Sequence, residues 1–336
     1  MLLDAALPPA PLSDVPRIAR AAEATGFAAI WTTETHHDPF LPHALIAEHT
    51  KRLQSGTGIA VSFGRSPTTI AYTAWDLAAQ SKGRFILGLG TQVKAHIERR
   101  FGMEWPASVT GKLREQIQVM RALWDTWQNG TPLNFRGEYY RITLMSPFFN
   151  PGPNNYPEIP IYIAGVNAGL AKLAGEMCDG FHAHPFNTPH YLRNVMIPAI
   201  VDGASKTGRI RSDVAVAVSV FAATNSAELE FCRQSVSFYA STPSYRPVLE
   251  YHGWLEVGEK LSALASRGQW ADMPAQITDE MLAEFCTQAS TPVEMASALK
   301  QRYAGVADRI AIYLPFIPGD KDRFWRKMAG EFNVKE

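Results

Sequence analysis

The run Glu34-Thr35-His36-His37-Asp38 places two imidazoles between two carboxylates. Histidine changes charge near neutral pH, so such a cluster suits general acid–base work. The same side chains are metal ligands, and a solvated loop whose histidines pair with Glu34 or Asp38 is the plainer alternative. His182-Ala183-His184 is a second imidazole pair. Alternate residues of a strand share a face, so both rings can look into one pocket. No further ligand is convincingly spaced with them, and no metal is expected. Two other stretches bear on chemistry through their backbone. In Ser55-Gly-Thr-Gly-Ile-Ala-Val-Ser-Phe-Gly-Arg-Ser-Pro67, Gly56 and Gly58 weaken a strand unless a bulge or a close ligand needs them. Ser62 to Ser66 are then expected at a pocket rim. Gly165-Val166-Asn167-Ala168-Gly169 offers backbone N–H groups and small residues at a helix start, which is how a phosphate is received. An ordinary turn capped by Asn167 fits the same residues. Gly-x-Ser-x-Gly, the P-loop pattern and His-Glu-x-x-His are all missing.

These groups need elements that bring them together. Leu2 to Leu7 reads as a strand, and the next helix has Ser13 as a cap, Pro16 in its first turn and Gly26 as its stop. Phe27 to Thr32 is apolar without alternation, as in a strand buried on both faces. The glycine-punctuated stretch is the third strand, and Pro67 opens the helix behind it. Further strands are expected over Arg84–Gly90, Ile159–Ala164, Asp179–His184, Val214–Ala222 and Arg309–Leu314. Strands alternating with helices imply parallel pairing through right-handed crossovers. Eight such units make an α/β fold of the (β/α)8 TIM barrel type, with residues 1–336 as one domain. The rival, an open doubly wound sheet, usually carries Gly-x-Gly-x-x-Gly after its first strand, and none is present. In a barrel the C-terminal strand ends meet at one mouth. Asp4, Glu34 to Asp38, Ser62 to Ser66, Thr91, Gln92, Asn167, His182, His184 and Asn187 would gather there. The excursions 91–109, 130–158 and 242–290 are loop insertions at that mouth.

Composition sets the outer bounds. Acidic and basic residues balance at 32 each, which speaks against a general nucleic-acid or membrane-surface binder. The three cysteines are odd in number and far apart, as expected of reduced thiols in a cytoplasmic protein. The N-terminus lacks a signal-peptide pattern, and no apolar run is long enough to span a bilayer.

Taken in order, several segments resemble the luciferase-like monooxygenase superfamily, and within it the oxidoreductases that use the deazaflavin coenzyme F420. The resemblance rests on Gly26-Phe-Ala-Ala-Ile-Trp-Thr-Thr-Glu34, Leu53-Gln-Ser-Gly-Thr-Gly-Ile59, Gly83-Arg-Phe-Ile-Leu-Gly-Leu-Gly-Thr91, Arg136-Gly-Glu-Tyr-Tyr140, Pro160-Ile-Tyr-Ile-Ala-Gly165 and Ala174-Gly-Glu-Met-Cys-Asp-Gly180. It implies a bulged third strand with a cis peptide at Gly58-Ile59 behind the deazaflavin ring. It also implies a phosphate held by Gly165, Val166 and Asn167, and Glu34 meeting the cofactor. Ser62, Thr91, His96 and His184 complete the expected cofactor contacts. Where some relatives place a glutamate after the fourth strand, this chain has Thr91-Gln-Val-Lys-Ala-His96. His36, His37 and Glu34 are therefore the candidate catalytic residues. The implied activity is hydride transfer between C5 of F420 and a small or medium organic substrate, in a homodimer. An FMN-dependent monooxygenase on the same fold is the alternative, and a flavin- or deazaflavin-binding protein without turnover is the alternative of another class.

Overall fold

In the computed structural model, which describes residues 1–334, eight parallel strands close on themselves. They are β1 (Leu2–Ala6), β2 (Ala29–Thr32), β3 (Gln54–Thr57, resumed at Ala60–Val61), β4 (Phe85–Gly90), β5 (Ile161–Gly165), β6 (Gly180–Ala183), β7 (Ala215–Ala223) and β8 (Arg309–Ile312). Each pairs with its successor, and β8 closes the ring on β1 through Leu2 opposite Arg309 and Asp4 opposite Ala311. This is the (β/α)8 barrel expected from the strand–helix alternation. The strands are apolar on both faces because one face meets the barrel interior and the other meets the helices. All of β4 is buried.

The surrounding layer includes α1 (Val15–Thr25), α2 (Leu41–His49), α3 (Pro67–Ser81), α4 (Val109–Asn129) and α5 (Ala168–Met177). Gly26 ends α1 with a φ of 98°, a left-handed conformation that glycine adopts without a Cβ penalty. Ser13 does not cap α1: it lies within a 3-10 turn, Leu12–Asp14, that runs straight into the helix. Ser66 caps α3 by accepting from the Thr68 N–H. Thr291 and Glu294 form the reciprocal capping box of the helix Pro292–Arg302.

The three excursions all hold structure of their own. Residues 91–109 contain the short helix Lys94–Arg99. Residues 130–158 contain an antiparallel hairpin, Phe135–Arg136 with Arg141–Ile142. The third carries helices and then a short strand, Cys286–Gln288, which pairs with Phe221–Ala223 where β7 continues beyond the barrel rim. Among the described residues, no helix is long and apolar enough to cross a membrane.

The interruption in β3 is a bulge. Ser55 and Gly56 oppose Phe85 and Ile86, whereas Ala60 and Val61 oppose Leu89 and Gly90, so β3 holds one more residue than β4 over the interval. The Gly58–Ile59 peptide bond inside it is cis. The Thr57 hydroxyl replaces the missing ladder bonds: it donates to the Gly88 carbonyl at 2.6 Å and accepts from the Gly88 N–H at 2.9 Å. A Cβ on Gly88 would sit 1.8 Å from the Thr57 carbonyl oxygen, which is why this close approach needs glycine.

Candidate active site

The mouth opens into a cavity of about 390 Å³ whose lining includes Leu7, Gly58, Ile59, His184, Phe231 and Tyr313. Its floor is polar and belongs to the first, second, sixth and last strands. Alternate residues of β1 and β8 face inward, and this brings Asp4 and Arg309 together across the closure of the ring. Arg309 grips Asp4 with two bonds, Nε to Oδ2 at 2.7 Å and Nη2 to Oδ1 at 2.9 Å. Asp4 Oδ2 also accepts from Trp31 Nε1 at 2.9 Å, and Arg309 Nη1 donates to Gln54 Oε1 at 2.9 Å. Burial works against the Arg309 charge, but the Asp4 carboxylate outweighs it and holds the guanidinium above its ordinary pKa.

His182 stands on this floor. Its ring is perpendicular to Trp31 at 4.6 Å and tilted against Tyr162 at 5.3 Å. Burial, helped by the Arg309 charge, pushes its pKa down to about 3, so the imidazole is neutral. Its Nε2 is buried and has no hydrogen-bond partner among the described residues.

His184, one register step above, packs against Tyr239 and Tyr245 at 4.8 and 4.4 Å. Burial lowers its pKa to about 3 as well. The Phe186 N–H donates to its Nδ1 at 3.1 Å, which leaves the proton of the neutral ring on Nε2. The two histidines thus meet different aromatic neighbours. Among the described residues, no group of three or more His, Cys, Asp and Glu side chains is placed to hold a metal. Beside His184 the hydroxyls of Tyr239 and Tyr313 share a hydrogen bond of 2.5 Å.

The loop after β2 is organised differently. Glu34 accepts from the Val61 N–H and from Arg65 Nη1, both at 2.7 Å, and Arg65 also reaches Asp38 at 3.5 Å. Asp38 Oδ1 accepts from the N–H groups of Phe40 and Leu41 at the start of α2. Glu34 is therefore tied to the bulged strand, and its carboxylate is absent from the cavity lining. That geometry makes it an anchor of the loop. His36 and His37 are exposed. His37 and Asp38 line a smaller recess beside the main cavity, with Thr33 and Thr35 shared between the two.

The remaining expected contacts divide cleanly. Gly58, Ile59 and His184 line the cavity. Ser62 does not reach the rim: it is fully buried, its N–H donates to the Gly90 carbonyl at 2.9 Å and its own carbonyl accepts from Gln116. Thr91 is buried below the mouth, and His96 is exposed on the helix Lys94–Arg99, whose buried residue is Ile97. Gly165, Val166 and Asn167 lead into α5 next to the cavity-lining Ala164. The Asn167 side chain caps α5 by accepting from the Leu170 N–H at 3.2 Å through its oxygen, which leaves its backbone N–H and its side-chain NH2 to face a ligand. Arg309, Trp31, Ser219 and Tyr313 are lining residues not singled out from the sequence. The available signal was one charge on each of two otherwise apolar strands, Asp4 and Arg309, with opposite signs.

A family model described as luciferase-like monooxygenase matches residues 3–309. An uncharacterized protein of Mycobacterium tuberculosis is 44% identical over 309 residues, covering 88% of this chain and 89% of its own. The F420-dependent glucose-6-phosphate dehydrogenase of Amycolatopsis mediterranei is 30% identical over 214 residues, 60% of this chain and 62% of its own. Two solved structures share the fold. The coenzyme F420-dependent tetrahydromethanopterin reductase of Methanopyrus kandleri has a TM-score of 0.78 at 20% identity, over 98% of this chain and 97% of its own. An F420-dependent secondary alcohol dehydrogenase in complex with an F420-acetone adduct has a TM-score of 0.75 at 19% identity, over 99% of both chains.

Proposed function

The chain belongs to the luciferase-like monooxygenase family, a family of oxidoreductases, and from that premise we propose that it is an F420-dependent oxidoreductase. It would pass a hydride between the deazaflavin and a small or medium organic substrate. The observation that carries this reading is the mouth cavity with the Gly58–Ile59 backbone as one wall. Gly58 brings no side chain to that wall, and a Cβ there would lie 3.2 Å from Trp31 Cβ, so the surface offered to a planar ring is flat backbone. At the cavity edge, the start of α5 exposes Asn167, Ala168 and Gly169, whose N–H groups and small size suit a phosphate. The residues present therefore fit the cofactor.

When bound, the deazaflavin supplies C5 as the hydride donor or acceptor; the chain supplies orientation and proton management. Gly58 and Ile59 support one ring face, with His184 at the side of the cavity. Gly165, Val166 and Asn167 hold the phosphate through backbone amides. Glu34 and Arg65 fix the mouth loop, and that loop presents His36 and His37 as proton carriers at the solvent edge. Ser62 ties the chain beyond the bulge to the Gly90 carbonyl through its N–H, Thr91 follows at the end of β4, and exposed His96 is available to the cofactor tail. The active unit is a homodimer of a single-domain chain acting in the cytoplasm.

Separate titrations with F420 and FMN, followed by fluorescence, test the cofactor. F420 should bind and FMN should not compete at equal concentration. Tight FMN binding without F420 binding sinks the proposal. Stopped-flow mixing of the F420 complex with a panel of alcohols then separates an enzyme from a carrier, because only an enzyme reduces the bound cofactor.

A further inference from the structure

The excursion after β4 carries an unbalanced run of cations at the mouth, outside the cavity. In Lys94-Ala-His-Ile-Glu-Arg-Arg100 the side chains of Lys94, His96, Arg99 and Arg100 are exposed, and Ile97 is the buried one. Glu98 is the acid of the run, and it pairs with Lys94 at 3.7 Å. Neither Arg99 nor Arg100 forms an ion pair among the described residues. Arg100 instead lies 5.0 Å from the Phe101 ring centre and donates to the Thr35 carbonyl at 3.4 Å.

The place of this run in the barrel gives it a use. β4 pairs with the bulged β3 on one side and with β5 on the other. The excursion therefore stands between the backbone assigned to the cofactor ring and the amides assigned to its phosphate. Its first half reaches the mouth, because Thr35, bonded by Arg100, lines the cavity. Its far end reaches the start of α5: a Cβ on Gly169 would lie 3.8 Å from Thr110 Cγ2, in the first turn of α4. Lys112 follows in α4, with its ammonium 5.0 Å from the Phe63 ring centre. Burial lowers its pKa against the pull of Glu104.

Beyond its phosphate, F420 continues into a lactyl-oligoglutamate chain that gains a carboxylate with each glutamate, whereas FMN ends at the phosphate. Guanidinium forks and ammonium groups are the donors that carboxylates pair with most strongly. We propose that Lys94, His96, Arg99 and Arg100 are the docking strip for the oligoglutamate tail, so that affinity rises with tail length and the strip favours F420 over FMN. The inference rests on F420 being the cofactor and adds where its tail lies.

Fluorescence titration of the full chain with F420 carrying one glutamate and with F420 carrying a long tail tests it. At low salt the long-tailed form should bind about tenfold tighter, as a few exposed ion pairs together allow. That advantage should fade as salt approaches about 1 M, where screening acts within about 3 Å. Arg99→Gln combined with Arg100→Gln should remove most of it and leave the one-glutamate form bound within about twofold. Arg17→Gln combined with Arg20→Gln, on exposed positions of α1, lowers the net charge equally and should leave the advantage intact. Equal binding of the two forms overturns this inference and leaves the proposed function standing. So does an advantage that survives the Arg99 and Arg100 changes, resists salt, or falls as far in the α1 variant. If neither form binds, the proposed function falls and this inference falls with it.

Discussion

The barrel floor and the mouth loop each hold carboxylate, arginine and histidine, and they use them in opposite ways. On the floor, Asp4 and Arg309 are 1% and 7% exposed, locked by Trp31 and Gln54, and set in rigid strands. At the mouth, Glu34 and Arg65 are 7% and 20% exposed, and the histidines beside them face solvent. The floor is a preorganised polar surface inside a dry wall. The mouth is a tethered loop whose histidines meet water. The same residue types thus give a buried, internally bonded surface in one place and a solvent-linked one in the other, and burial makes the difference.

The comparison breaks most directly at the two ion pairs. Arg309→Ala leaves the Asp4 carboxylate buried without its cation and should cost about 3–5 kcal/mol of stability. Arg65→Ala exposes Glu34 to a solvent already close by and should cost about 1–2 kcal/mol. Urea unfolding of both variants measures this. Equal losses would mean that the floor pair is no more desolvated than the mouth pair.

A smaller effect sharpens the same contrast through pH. His43, beneath the mouth loop and bonded to Thr32 Oγ1 at 3.0 Å, is buried, and burial lowers its pKa to about 3, as it does for His182 and His184. A histidine with a depressed folded pKa stays neutral in the native chain while the unfolded chain binds the proton. Its stabilising contribution is therefore complete above the unfolded value of about 6.5 and is lost as the pH falls toward 3. Each such residue contributes a slope of about 1.4 kcal/mol per pH unit within that window. Unfolding free energies measured in steps from about pH 7.5 to about pH 5 should fall accordingly, and His43→Gln should remove one such slope. An unchanged slope in that variant would mean that His43 is protonated or accessible in the native state.

The same contrast explains what could be read from the sequence. The strands were legible because burial on both faces leaves continuous apolar runs such as Phe85 to Leu89. The bulge was legible through the family resemblance, because Gly56 and Gly58 by themselves fit an ordinary turn as well. The floor was not, because Asp4 and Arg309 are 305 residues apart and meet only when the barrel closes. Ser62 misled because a serine after a strand suggests a rim, whereas backbone pairing with Gly90 carries it down into the interior.

The smallest effects belong to the exposed histidines, and they decide whether the mouth is as fluid as the comparison says. His36→Ala and His37→Ala should each change stability by less than about 0.5 kcal/mol, because neither exposed side chain closes a packed surface. Both variants should bind F420 as the unaltered chain does. Their rates should differ, since His37 lines the recess beside the cavity and His36 lines neither space. The expected loss for His37→Ala is about tenfold in single-turnover hydride transfer, below the range usual for a buried general acid, because water can replace an exposed imidazole. Free imidazole added to the assay should restore part of that rate. A loss of a thousandfold without rescue would place His37 in a closed, preorganised site once the cofactor is bound. The mouth would then resemble the floor, and the division drawn here would fail at its solvent edge.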